Sequence, residues 1–199
     1  MAFVRYADED QAPSIVRTIF EALRKQRGQV QNSQRVLAHN PEVLRASGPF
    51  VGAVGRENAL PNRIKELAIL KVMLINGCQY CLSHHYQAAV AAGVSMEEMR
   101  ALYDFEESPL FSEKDRAAFA YAEEITVNNR RMRPSVKDRL KAALTDAEIV
   151  DLTLACGVFN FLNRFMHCLE IGRDTDVPDE LVQMLEATLG PAELVASRS

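Results

Sequence analysis

The stretch from Asn62 to His85 reads NRIKELAILKVMLINGCQYCLSHH. Pro61 stands at its entrance, apolar residues fill nearly every position from Ile64 to Ile75, and Gly77 closes the run. Proline at the start and glycine just past the end are the usual boundaries of an α-helix. A helix that is apolar all round must be packed on all sides, so this one lies at the centre of a domain or meets another subunit. Beyond Gly77, CQYCLSHHYQAAVAAG continues as a second helix ending at Gly93.

The flanking sequence carries the same helical signals. Ser14 is placed to cap a segment through Ile15, Ile19, Phe20 and Leu23, closed by Arg24, Lys25, Arg27 and Gly28. Asn40-Pro41 opens another through Val43 and Leu44, whereas three glycines and a proline make Ser47 to Gly55 read as irregular. There Gly48, Gly52 and Gly55 read as bends and close packing, since they lack the lysine and spacing of a phosphate loop. Ser95–Glu98 and Thr145–Glu148 fit the capping box, and Ser112 precedes Glu113 and Asp115 ahead of a helix through Phe119 and Ile125. Arg130, Arg131 and Arg133 read as the cationic end of that helix. Asp146 to Ile171 is strongly apolar with steps of three and four, Pro178 opens a last short helix through Leu181 and Leu185, and the tail after Pro191 is expected to fray. No run alternates with period two over a convincing length. The expected fold class is all-α, with a helical arm over 1–39, a core over 40–175, and a short helix and tail over 176–199. The runs from Arg63 and Asp146 weakly resemble a duplicated unit.

The 199 residues carry 23 Lys+Arg against 27 Asp+Glu, a net charge of −4. With 48% apolar and 25% charged residues, the chain has the balance of a soluble globular domain. It generates no basic field to attract nucleic acid or an anionic membrane. The acidic N-terminus has no apolar signal core, and the apolar run Leu67–Ile75 is too short to span a bilayer. A reducing cytoplasm is therefore expected. Four cysteines are too few for a disulfide scaffold.

Two of those cysteines form Cys78-Gln-Tyr-Cys81, followed by His84 and His85. At helical steps of three and four, Cys78, Cys81 and His85 share one stripe, while His84 is rotated about 100° away. Cys78 at a helix start is favoured as a thiolate by the helix dipole, whereas proximity to His85 favours Cys81, and these residues alone leave the choice open. Glu66 lies in the apolar run that feeds the pair. Desolvation there would raise its pKa toward the range useful for proton transfer, although a carboxylate in a helix's first turns also serves the dipole.

Glu66, Cys78, Cys81 and His85 spell E-x11-C-x2-C-x3-H. This spacing, the central text NRIKELAILKVMLINGCQYCLSHH and the later DAEIVDLTLACGVFNFLNRF resemble the alkylhydroperoxidase D-like proteins of the carboxymuconolactone decarboxylase superfamily over roughly residues 40–172. The resemblance implies an all-helical homo-oligomer, trimer or hexamer, with a thiol peroxidase site. Carried over, Glu66 and His85 activate Cys81, and Cys78 is the resolving thiol. Some members carry histidine just before the second cysteine, where this chain has Tyr80, whose phenol can still hydrogen-bond. Tyr80 and His84 are thus possible accessory residues. The implied substrate is a small hydroperoxide, the reductant a dithiol or a partner peroxidase, and no cofactor or metal is called for.

Rival readings use the same residues. Zinc would draw on Cys78, Cys81 and His85 with Glu66 or water, but no second ligand pair exists. The cysteines alternatively serve as small buried hydrophobes, or as the dithiol of a non-catalytic redox-sensing scaffold. The superfamily's decarboxylase branch does not use the cysteine pair. Cys156 and Cys168, about 18 Å apart on one helix, cannot pair. His167 reads as a packed core histidine, His39 as a surface residue, and Asn160, Asn163 and Arg164 as candidates for bonds across a subunit interface.

Overall fold

The computed structural model describes residues 2–127, 131–176 and 178–188. Among them there are ten helices and no strand: α1 Ser14–Arg27, α2 Asn32–Leu37, α3 Pro41–Gly55, α4 Asn62–Asn76, α5 Gln79–Ala91, α6 Met96–Ala101, α7 Glu113–Val127, α8 Pro134–Ala143, α9 Asp146–Cys168 and α10 Asp179–Ala187. Every side chain of α4 from Ile64 to Ile75 is buried, because α7 and α9 pack along it and α5 doubles back against it. The two lysines this entombs are paired. Lys65 Nζ meets Asp151 Oδ1 at 2.9 Å and donates to Arg56 O at 2.6 Å. Lys71 pairs with Glu123 and lies over the Phe105 ring. Burial without these partners would cost several kcal/mol per ion, on the order expected for an unpaired charge.

Ser95 and Thr145 form the expected capping boxes with Glu98 and Glu148. The Asp115 N–H donates to Ser112 Oγ at the head of α7. Gly28, Gly77 and Gly93 all take positive φ where α1, α4 and α5 end. α9 is the one described helix long and apolar enough to cross a membrane, yet half of its apolar window is buried inside the bundle. Its outer face leaves Val150, Leu154 and Phe161 exposed.

Four expectations, on helix bounds, glycine packing and the placement of Arg133, are corrected. Ser47 to Gly55 is helical: Asn40 Oδ1 caps α3 by accepting from the Val43 N–H at 3.3 Å, and Pro49 is accommodated inside it. Leu44 packs in a small N-terminal cluster with Val16 and Phe20, while Val54 packs in the main core. Anchoring at both ends outweighs a propensity cost of about 1 kcal/mol per glycine. Nor are Gly48, Gly52 and Gly55 sites of close packing, since a Cβ at any of them would meet nothing within 4 Å. Arg133 does not end α7; it stands at the N-cap of α8 and pairs with the buried Glu124 at 2.8 Å, while Arg130 lies outside the described residues. Asn160 and Arg164 bond within the chain: Asn160 donates to Thr126 Oγ1 and accepts from Asn76, and Arg164 donates to Asn160 Oδ1. Ser14 is the first residue of α1 rather than its cap, which is Pro13. The tail after Pro191 lies outside the described residues.

Candidate active site

The site is built on the turn between α4 and α5. Gly77 adopts φ +69°, a conformation nearly free for glycine, and the Cys78 N–H bonds back to Met73 O at 3.1 Å. This turn delivers Cys78 to the N-cap of α5, where its Sγ accepts the Cys81 N–H at 3.3 Å. Cys78 and Cys81 are joined as a disulfide with a Cα–Cα distance of 5.4 Å. The bonded sulfurs are nearly buried, at 3% and 5% residue exposure.

One turn beyond Cys81, His85 Nδ1 lies 2.8 Å from Glu66 Oε2. The His85 ring meets the Phe159 ring edge-on, with centroids 4.3 Å apart. Helix α4 thus supplies the carboxylate, α5 the imidazole and α9 the aromatic wall. Nδ1 is engaged by the carboxylate, and Nε2 has no hydrogen-bond partner among the described residues. No hydrogen bond joins His85 to Cys81 in this disulfide form. Cys81, Glu66 and His85 do line one cavity of about 620 Å3, within the usual range for small-molecule pockets. Its opposite wall is the glycine face of α3, with Gly48, Gly52 and Gly55 leaving room where side chains would fill it. Leu162 and Met166 of α9 add to its apolar lining, and Arg27 and Arg56 also stand among the lining residues.

Tyr80 and His84 belong to a second polar group. The Tyr80 hydroxyl lies 2.7 Å from Asp174 Oδ2 and 2.9 Å from Ser33 Oγ. His84 Nε2 lies 3.1 Å from the same Asp174 oxygen, and its Nδ1 faces the Gln31 amide at 3.2 Å. Donation from Nε2 to the carboxylate and from the Gln31 amide to Nδ1 is satisfied by one neutral tautomer. Burial would raise the Asp174 carboxyl, but hydrogen bonds from His84, Tyr80 and the Asn32 N–H outweigh it and hold the group below its ordinary range. Burial, reinforced by Asp174, pushes the Tyr80 phenol upward, so it acts as a fixed donor. His84 also lines the cavity, although its rotation on α5 points away from the cysteine stripe. Asp174, Ser33 and Gln31 were not legible as site residues; they come from loops and caps with no local motif.

The remaining candidates separate cleanly. Cys156 is free and fully buried, with its thiol pushed up to about 12 by burial, and Cys168 is free and exposed. His167 is exposed rather than packed in the core, because α9 turns that face outward near its end. His39 is exposed, with Nε2 2.7 Å from Arg5 O.

An all-helical bundle whose central pair of helices carries Glu66, Cys81 and His85 around one cavity, with Cys78 bonded to Cys81, has the AhpD-like fold. The chain matches the model of the carboxymuconolactone decarboxylase family over residues 41–124. It is 25% identical over 160 residues to YnjA of Escherichia coli (strain K12), covering 80% of this chain and 88% of that one. Among solved structures, the apo form of the debrominase Bmp8 matches with a TM-score of 0.74 and 19% identity over 90% of this chain and 96% of its own. An AhpD-core, peroxidase-related protein from Ralstonia eutropha JMP134 matches with a TM-score of 0.70 and 18% identity, covering 94% and 97%. These likenesses establish the fold and leave open the reaction.

Proposed function

We propose that the chain is a thiol-dependent hydroperoxidase of peroxiredoxin-like chemistry, in which Cys81 reacts with peroxide and Cys78 resolves it. The observation that carries this reading is the Glu66–His85 pair, 2.8 Å apart, lining the same cavity as Cys81. In the reduced protein, His85 takes the Cys81 proton with Glu66 stabilising the charge. The thiolate attacks the O–O bond, becomes a sulfenic acid, and the leaving alkoxide takes the proton back as an alcohol. Cys78 then displaces water to form the disulfide. The balance is two thiol hydrogens and one ROOH giving ROH, H2O and one disulfide, which a cellular dithiol or partner peroxidase reverses. A cytoplasmic homo-oligomer, trimer or hexamer, completes the proposal. Val150, Leu154 and Phe161 support it, because they fall within about 40° on the outer face of α9 and have no cover within one chain. Cys81→Ser and Cys78→Ser should each abolish peroxide turnover with a dithiol reductant; undiminished turnover in both variants contradicts the reading.

A second reading is favoured by one comparison. A cysteine-to-alanine variant of Bmp8 in complex with 2,3,4-tribromopyrrole also matches, with a TM-score of 0.72 and 20% identity. The same dithiol supplies the two electrons that replace a carbon–bromine bond by carbon–hydrogen, releasing bromide and a disulfide. The Phe159, Leu162 and Met166 wall suits a flat, polarisable ring. Bromide release from a bromopyrrole by the reduced protein, at a rate above its peroxide reaction, would select this reading.

A further inference from the structure

The two cysteines of the disulfide line different spaces. Cys81 lines the 620 Å3 cavity with Glu66 and His85, and Cys78 does not. Cys78 lines a separate recess of about 410 Å3, together with Gln79, His167 and Glu170. Tyr80 and Met166 are the residues common to both linings, so they form the partition. That partition is rigid on the Tyr80 side, where the phenol is held by Ser33 and Asp174. Besides Cys78, the titratable side chains of the recess are Tyr80, His167 and Glu170. The His167 side chain is exposed and has no hydrogen-bond partner among the described residues. Glu170 holds a left-handed backbone, φ +52°, that a glycine would adopt at lower cost, and so keeps a carboxylate at the rim.

We propose that the recess at Cys78 is a second entrance, through which a dithiol reductant attacks Cys78 with His167 as its proton acceptor, while the oxidising substrate enters at Cys81. The inference rests on the dithiol reading above and adds a division of labour between the two sulfurs. In the first step the reductant's thiol gives its proton to His167 and its sulfur bonds to Cys78 Sγ. The Cys78–Cys81 bond breaks, and Cys81 leaves with the electron pair as a thiolate beside His85. In the second step the reductant's other thiol loses its proton to solvent, from which the Cys81–His85 pair takes up one proton. Its sulfur closes onto the first, and Cys78 leaves as a thiolate and recovers the proton held by His167. Two electrons pass from the reductant to the protein, and the reductant ends as a disulfide.

The test measures the two half-reactions separately on full-length protein, using acid quench, alkylation and mass. For reduction, the disulfide is prepared chemically with diamide and treated with dithiothreitol. For oxidation, prereduced protein is treated with cumene hydroperoxide. His167→Gln should slow reduction by about tenfold or more. That deficit should fade above about pH 9, where the reductant's thiol ionises unaided. His167→Trp, which fills the recess, should slow reduction at every pH and leave oxidation unchanged. Gly52→Leu, which projects into the open space of the first cavity, should slow oxidation and leave reduction unchanged. The reduction arm is repeated with a thioredoxin-type protein dithiol, and the faster carrier in the wild-type protein identifies the source that uses the recess. For that carrier, a reduction rate untouched by His167→Trp overturns the proposal, as does a Gly52→Leu variant slowed equally in both directions. Failure of wild-type oxidation with normal reduction would instead count against the peroxidase reading and leave the second entrance standing.

Discussion

Replacing Glu66 by Gln removes one charge and almost no volume. The carboxylate is 3% exposed and meets His85 Nδ1 at 2.8 Å. A hydrogen bond to a charged group contributes about 1.5–3 kcal/mol, against about 0.5–1.5 for a neutral one. The glutamine carbonyl still accepts from Nδ1–H, so the loss is the difference, about 1–2 kcal/mol. That loss falls on the state in which His85 is protonated and Cys81 is a thiolate. At about 1.4 kcal/mol per decade, peroxide-driven disulfide formation should slow by about 5–30-fold. The fold should survive, because an isosteric neutral group replaces a buried charge whose desolvation is itself costly. The assay is a quenched-flow record of disulfide formation in prereduced protein, with thermal melts of both proteins alongside. An unchanged rate in Glu66→Gln, with an unchanged melt, would refute the relay.

Two further outcomes test other parts of the structure. Asp174→Asn removes a carboxylate held below its ordinary pKa, so its contribution is full above the unfolded value near 4 and is lost as pH falls through the folded value. The variant should therefore unfold more easily than wild type by about 1–3 kcal/mol at pH 7, with the gap closing in acid; a gap independent of pH contradicts the assignment. Val150→Glu with Phe161→Glu should reduce a homo-oligomer to monomers in sedimentation, because each places a charge on the exposed apolar face of α9.

The parts of the molecule that sequence shows plainly are those governed by neighbours in the chain. Ser95–Glu98 and Thr145–Glu148 satisfy each other's backbone donors within four residues, so their helices start where the pattern places them. The stretch from Glu66 to His85 spans one left-handed turn at Gly77, which brings the acid and imidazole into contact. What local spacing does not reveal is contact across distance. Tyr80 and His84 find their shared partner, Asp174, about ninety positions on, and no periodicity announces it. Ser47 to Gly55 contains enough glycine and proline to read as irregular, yet anchoring of Leu44 and Val54 in two cores holds it helical. Its glycines are then visible for what they leave open. They form the wall of a cavity whose other side is a helix a hundred residues later. His167 misleads for a related reason: it sits in an apolar stretch, but near the end of α9 that face turns outward.

The most direct test of the central claim is a time course of intact and peptide-mapped mass after stoichiometric hydroperoxide is added to reduced, metal-free protein. The account predicts rapid loss of two hydrogens, mapped to a Cys78–Cys81 disulfide, with Cys156 and Cys168 alkylated as free thiols once the protein is denatured. Persistence of reduced Cys78 and Cys81 for hours, or oxidation confined to the exposed Cys168, would contradict it.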